Sequence, residues 1–128
     1  MRFIIHGKTP TVNSMYSTNR SGHRFMINAA KKRKDEVQEE IRKQIPKDFV
    51  HAEWCERMLT VTITIHEDWF TKAGTIRIKD IVNLEKFIDD AIFSVLKLDD
   101  SHIWKIIMEK HTDEEFMTFI DIEYYNIN

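Results

Sequence analysis

A chain of 128 residues is long enough to bury one hydrophobic core and short for two domains, so a single domain over residues 1–128 is expected. With 42% hydrophobic and 31% charged residues, the composition is that of a globular protein, not a disordered tail, and the one cysteine, Cys55, rules out an internal disulfide and suits a reducing cytoplasm. The net charge of −2 argues against a general nucleic-acid binder, yet residues 1–50 carry 11 Lys/Arg against 5 Asp/Glu and residues 51–128 carry 8 against 16, a split that suggests a polyanion-binding end and an acidic, metal-binding end.

The segment Met1–Gly7 is too short and too poor in small residues for a signal peptide, and its residues Phe3–His6 predict a strand. Residues 7–25, with Gly7, Pro10, Asn13, Ser14, Ser17, Asn19, Ser21 and Gly22, predict a long loop anchored by Met15, Tyr16 and Phe25. A helix is expected from an Asn28 N-cap to about Gln44, with Ala29, Ala30, Arg33, Val37 and Ile41 facing inward and Pro46 ending it. The run Lys31-Lys32-Arg33-Lys34 sits in its first turns, where the helix dipole disfavours cations, so either phosphate contact or a plain solvated turn accounts for it.

Leu59, Val61, Ile63 and Ile65 alternate with Thr60, Thr62, Thr64 and His66, the pattern of a strand with one buried face. A loop over 67–79 leads to Leu84, Phe87, Ile88, Ala91, Ile92 and Val95, whose spacing is that of an amphipathic helix. Strands near 102–110 and 116–124 follow, joined at Thr112-Asp113-Glu114 by an apparent hairpin. The order is β-α-β-α-β-β. It predicts an α+β sandwich: a small mixed sheet with two helices packed on it. No apolar run approaches the length of a membrane span.

The chemistry concentrates between residues 79 and 100. Asp80 and Asn83 open the second helix, Lys86 and Asp90 continue one stripe along it, and Asp99-Asp100 follow its end. Such carboxylates suit a hard divalent cation, which takes oxygen ligands and cleaves phosphodiesters. They equally suit structural duties, with Asp80 as an N-cap, Asp99-Asp100 as turn residues and Lys86 as a solvated charge. If the helix is about 25 Å long, Asp100 approaches Asp80 only if the chain folds back or the site is completed in another way.

The stretch Lys79-Asp80-Ile81-Val82-Asn83-Leu84-Glu85-Lys86, then Asp90-Ala91-Ile92, then Asp99-Asp100, resembles the core motif of the RusA-type Holliday junction resolvases. Thr9-Pro10-Thr11-Val12-Asn13-Ser14-Met15-Tyr16 and Asn28-Ala29-Ala30 resemble the same family's N-terminal loop and helix entry. The resemblance implies a homodimeric endodeoxyribonuclease, dependent on Mg²⁺ or alternatively Mn²⁺, that makes paired nicks in four-way junctions inside a bacterial cell, often encoded by a phage or prophage. It implies Asp80 and Asp100 as metal ligands and, with Asn83 and Lys86, as the catalytic set. For DNA contact the basic residues are Arg20, Arg24, Lys31, Lys32, Arg33, Lys34, Arg77 and Lys79. Val82 departs from the pattern, for it occupies the place of a second motif aspartate. Three alternatives follow: a site that works with fewer carboxylates, a replacement acid such as Asp99, Glu67 or Asp68, or a protein that binds branched DNA without cutting it. A small protein-interaction domain is a further alternative, though it leaves the charge split without a purpose. The six scattered histidines show no zinc-ligand spacing.

Overall fold

A computed structural model of the chain describes residues 1–11 and 16–127; the loop-motif residues Val12, Asn13, Ser14 and Met15 lie outside the described residues. In chain order the elements are strands β1 (Arg2–His6), β2 (Tyr16–Thr18) and β3 (Arg24–Met26), helices α1 (Asn28–Gln44) and α2 (His51–Trp54), strand β4 (Leu59–Glu67), helix α3 (Val82–Leu96), and strands β5 (Ile103–Thr112) and β6 (Met117–Tyr124). A short 3-10 turn, Asp100–His102, leads into β5.

The fold is α+β, with a mixed sheet in the order β1-β6-β4-β5. β4 runs parallel to β5 and antiparallel to β6, and β6 runs antiparallel to β1. The alternation in β4 holds along its whole length: Leu59, Val61, Ile63, Ile65 and Glu67 are buried, and the intervening residues are half-buried. The inward residues of β1 and β6 (Phe3, Ile5, Ile120 and Ile122) join them in one core with Val37 and Ile41 of α1 and Leu84, Phe87, Ile88, Ala91 and Ile92 of α3. Each large side chain buried there contributes roughly 1.5–3 kcal/mol. The helices thus cover one face of the sheet. The other face presents the threonines of β4, Lys105, Ile107 and Glu109 of β5, and the outward residues of β1 and β6.

Four expectations need correction. Residues 7–25 are not loop throughout, because β2 and β3 pair there as a two-stranded ribbon, closed by the Asn19 carboxamide accepting from the backbone N–H of Ser21 and His23. Asn28 is the first helical residue of α1, not its cap; Ile27 holds the cap position and no side chain caps the helix. Ala29 is exposed, and Arg33 is only half-buried and brackets the β1 end, donating to the carbonyls of His6 and Lys8. The fourth concerns β5 and β6, which do not form a hairpin. β4 lies between them, and the linking turn crosses its end, where the Asp113 N–H donates to the Glu67 carbonyl at 3.0 Å. The short helix α2 is an addition; its Trp54 packs at a tilt against Tyr124, with ring centroids 4.5 Å apart.

Candidate functional site

The motif residues are carried by α3 and its two flanks. Ile81 occupies the N-cap position without a side-chain hydrogen bond, and the Asn83 N–H donates to the backbone carbonyl of Asp80. The Asp80 carboxylate is therefore not used as a cap, and it is exposed. Val82, in the first turn, is also exposed, at 69%, an unusual place for an apolar side chain and a position open to solvent beside Asp80. Asn83 is half-buried one step further on. Lys86, on the next turn, forms an i, i+4 pair with Asp90 at 3.3 Å.

This end of α3 stands over the C-terminal end of β4. Glu67, the last inward residue of β4, is 3% exposed and holds the Lys79 ammonium at 2.8 Å, while its Oε1 has no hydrogen-bond partner among the described residues. Lys110 of β5 donates to the Lys79 carbonyl at 2.7 Å, and both ammonium groups lie against the face of Trp69, at 4.6 Å for Lys110 and 5.6 Å for Lys79. The chain entering the motif is thus clamped by a buried ion pair and two cation–π contacts. Cations over an indole face are attracted by its quadrupole. Arg77 pairs with Asp68 at 3.3 Å.

The other end of α3 is acidic. Lys97 ends the helix in a left-handed conformation, at φ 56°, and Asp99 accepts from the Ser101 N–H at 2.9 Å to start the 3-10 turn. That hydrogen bond holds the Asp99 carboxyl below its usual range. Asp100 is exposed beside it. Asp89, Asp90, Asp99 and Asp100 line one cleft of about 320 Å³, with Lys34 of α1 on its rim. Asp89 is 4% exposed, and its Oδ1 lacks a hydrogen-bond partner among the described residues. Burial, then the hydrogen bond and charge of Glu85, then the charges of Asp100 and Asp90 push its carboxyl up to about 9. It is protonated at neutral pH. His102, next to this cleft, is occupied with the Arg57 carbonyl at 3.3 Å.

Asp80 lies ahead of α3, whereas Asp100, past its end, lines the cleft with Asp89 and Asp90 of the middle turns of the helix. Among the described residues no group of three or more His, Cys, Asp or Glu is placed to hold a metal. Of the basic residues, Arg20 and Arg24 sit on the β2–β3 ribbon and Lys31 and Lys32 on α1, all exposed; Arg33, Arg77 and Lys79 are engaged in the contacts above.

Residues 7–123 match the family model of endodeoxyribonuclease RusA. The chain belongs to the RusA endodeoxyribonuclease family. No curated protein matches it closely enough to add a relative. The family's reaction is the resolution of Holliday junctions. In this RusA-family chain the motif runs through the fold in order: Lys79 and Asp80 at the entrance of α3, Asn83 and Lys86 on its first two turns, and Asp99-Asp100 past its end.

The sequence reading missed Asp89 and named Glu67 only as a possible replacement acid. Glu67 was legible, because the period-2 alternation of β4 continues through it and points it inward. Asp89 was also legible: it lies three and four residues from Ile92 and Phe93, both buried, and so belongs to the inward flank of α3.

Proposed function

We propose that the chain is a structure-selective endodeoxyribonuclease of one domain over residues 1–128, which binds four-way DNA junctions as a homodimer and resolves them by paired phosphodiester hydrolysis. The observation that carries this reading is the solvent exposure of Asp80 and Asp100 on the flanks of a helix whose other motif residues, Asn83 and Lys86, stand in family order. Exposed carboxylates with no side-chain hydrogen bond or ion pair among the described residues are available to a substrate complex. Lys86 would contribute positive charge to a phosphate bound along the α3 stripe, with Asp90 holding its ammonium in place. Arg20, Arg24, Lys31 and Lys32 would supply backbone contacts to the arms of the junction. Contacts of that kind release counterions, and so they weaken steeply with salt. The family resemblance adds a requirement for Mg²⁺ or Mn²⁺ and an origin in a bacterial or phage genome. No helix is long and apolar enough to cross a membrane.

A second reading rests on Val82. Its exposed isopropyl group stands where the motif calls for a carboxylate, and a chain lacking that charge would bind junctions and leave them whole. A labelled four-way junction incubated with and without Mg²⁺ or Mn²⁺ separates the two. Nicks that need the metal and vanish in Asp80→Asn and Asp100→Asn support the nuclease. Tight binding with no nick at any metal concentration supports the silent binder, and no junction binding at low salt refutes both. Replacing Lys31 and Lys32 by Ala should lower affinity and flatten the salt dependence; an unchanged slope would mark them as a solvated helix face.

A further inference from the structure

Residues 68–79, which link β4 to the entrance of α3, hold large apolar groups out in water. Phe70 is 45% exposed, Ile76 73% and Ile78 fully. One exposed apolar side chain needs no explanation, but a group of them on a single connection points to something that covers it.

The connection is built so that these groups cannot fold back onto the body. An antiparallel bridge joins Phe70 to Ile76. The Thr71 N–H donates to the Thr75 carbonyl at 2.8 Å, and Gly74 makes the turn between them at φ 82°. Both ends are tied down. Trp69 is buried, its indole N–H donates to the His111 carbonyl at 2.9 Å, and its own carbonyl accepts from the Arg77 N–H at 2.9 Å. Lys79 is held by Glu67 and, through its carbonyl, by Lys110. An apolar surface presented in advance loses little conformational freedom when a partner meets it.

The surroundings say what that partner is. Ile76 and Ile78 line a cleft of about 640 Å³ together with Lys8, Thr11 and Arg77. The carboxylates of the same cleft, Glu67 and Asp68, are each held by a cation, Lys79 and Arg77. Lys8 and Lys72 are exposed and have no carboxylate partner among the described residues. Bare hydrocarbon fits any apolar face, whereas hydrocarbon ringed by spare positive charge fits a polyanion with an accessible apolar interior. Nucleic acid has that character where its bases can be parted, and apolar side chains are known to wedge between base steps. In a continuous duplex each pair is stacked on both sides. At a four-way branch point each arm ends in a pair whose outer face can be uncovered. We propose that residues 68–79 form a wedge that enters the branch point, where Ile76 and Ile78 lie against the face of a base pair, and that this contact separates a junction from a duplex. The phosphate contacts do not, because both DNAs offer them. The proposal rests on the junction-binding reading, and not on cutting.

The test uses a four-way junction with 2-aminopurine at the branch point, whose fluorescence rises when the base loses a stacking neighbour. Chelator is present throughout, so that cleavage plays no part. The wild type should raise the signal at the branch point and leave it unchanged when the probe sits in the middle of an arm. Ile76→Ser/Ile78→Ser should abolish the rise and lower the preference for junction over duplex by roughly tenfold or more, the size expected for uncovering part of two isoleucine side chains. Duplex affinity should stay within about twofold, because no phosphate contact is removed. Ile76→Leu/Ile78→Leu should keep both the rise and the preference. Junction binding with no rise overturns the wedge and leaves the junction-binding reading standing. So does a serine variant that keeps the wild-type rise, or one whose mass by light scattering differs from the wild type, since the isoleucines then cover another copy of the chain and not DNA. A wild type that binds no junction at low salt sinks both.

Discussion

Asp89→Asn should make the protein more stable at neutral pH, although it removes a carboxyl group from the candidate site. The Asp89 carboxyl is buried among Glu85, Asp90 and Asp100 and is held at about 9 against an ordinary 3.8. In the folded state it keeps its proton; in the unfolded state it ionises. Stability contributed by such a group is complete below the unfolded value and falls as pH rises from about 4 toward 9, because the folded state binds the extra proton across that window. Each pH unit is worth about 1.4 kcal/mol, so a ceiling of about 4 kcal/mol is lost by pH 7. Neighbouring side chains relax and an Asn amide is itself a buried polar group, so a net gain of about 2 kcal/mol is the expected size for the variant at pH 7. The assay is urea unfolding of both proteins at pH 4.5, 6 and 7.5, at one protein concentration and with chelator present. The wild type should fall away from Asp89→Asn as pH rises. Two curves that stay parallel across the three pH values would show that Asp89 titrates normally and that the cleft is wetter than its burial implies.

Val82→Asp restores a carboxylate at an exposed position beside Asp80, so it should raise the nicking rate and tighten Mn²⁺ binding in a titration while costing less than about 1 kcal/mol of stability. Lys79→Met strands the buried Glu67 carboxylate, 4% exposed at its side chain, and should lower stability by about 3 kcal/mol in chemical denaturation; Lys79→Met with Glu67→Gln should recover most of it. Lys97→Gly relieves the left-handed backbone at the end of α3 and should raise stability by about 0.5–1 kcal/mol, read as a higher urea midpoint with unchanged slope.

The fold class was legible because β4 and α3 carry unambiguous periods, two residues and three to four residues, over their full lengths. The pairing of β5 and β6 was not. A four-residue connection between two strands reads locally as a hairpin, and nothing in residues 113–116 reports that β4 is already seated between them. The stabilising contacts of that turn are long-range: Asp113 accepts from Glu115 nearby but also meets His66, 47 residues back, at 3.3 Å. Similarly, spacing alone placed Asp80, Asn83 and Lys86 on one helix, but a one-dimensional pattern does not distinguish an exposed carboxylate waiting for a cation from a cap. The cap reading for Asp80 fails on the φ/ψ of Ile81, a backbone property with no sequence signature. Asp99, read as either ligand or turn residue, starts the turn after α3 through its bond from Ser101.

The position of β6 has a consequence for how the chain is made. β6 is the second-to-last piece of sheet in space and the last in sequence, and it fills the gap between β1 and β4. Until residues 117–124 have left the ribosome, β1 has no strand to join, and one side of β4 is bare. The helices and the parallel β4–β5 pair can gather early, but the half of the core lined by Phe3, Ile5, Ile120 and Ile122 closes only after residues 117–124 have emerged. Pairings this distant in sequence are slow to form. A nascent chain arrested before residue 117 has emerged would expose apolar strand edges, and it should be the form that proteases and chaperones find first.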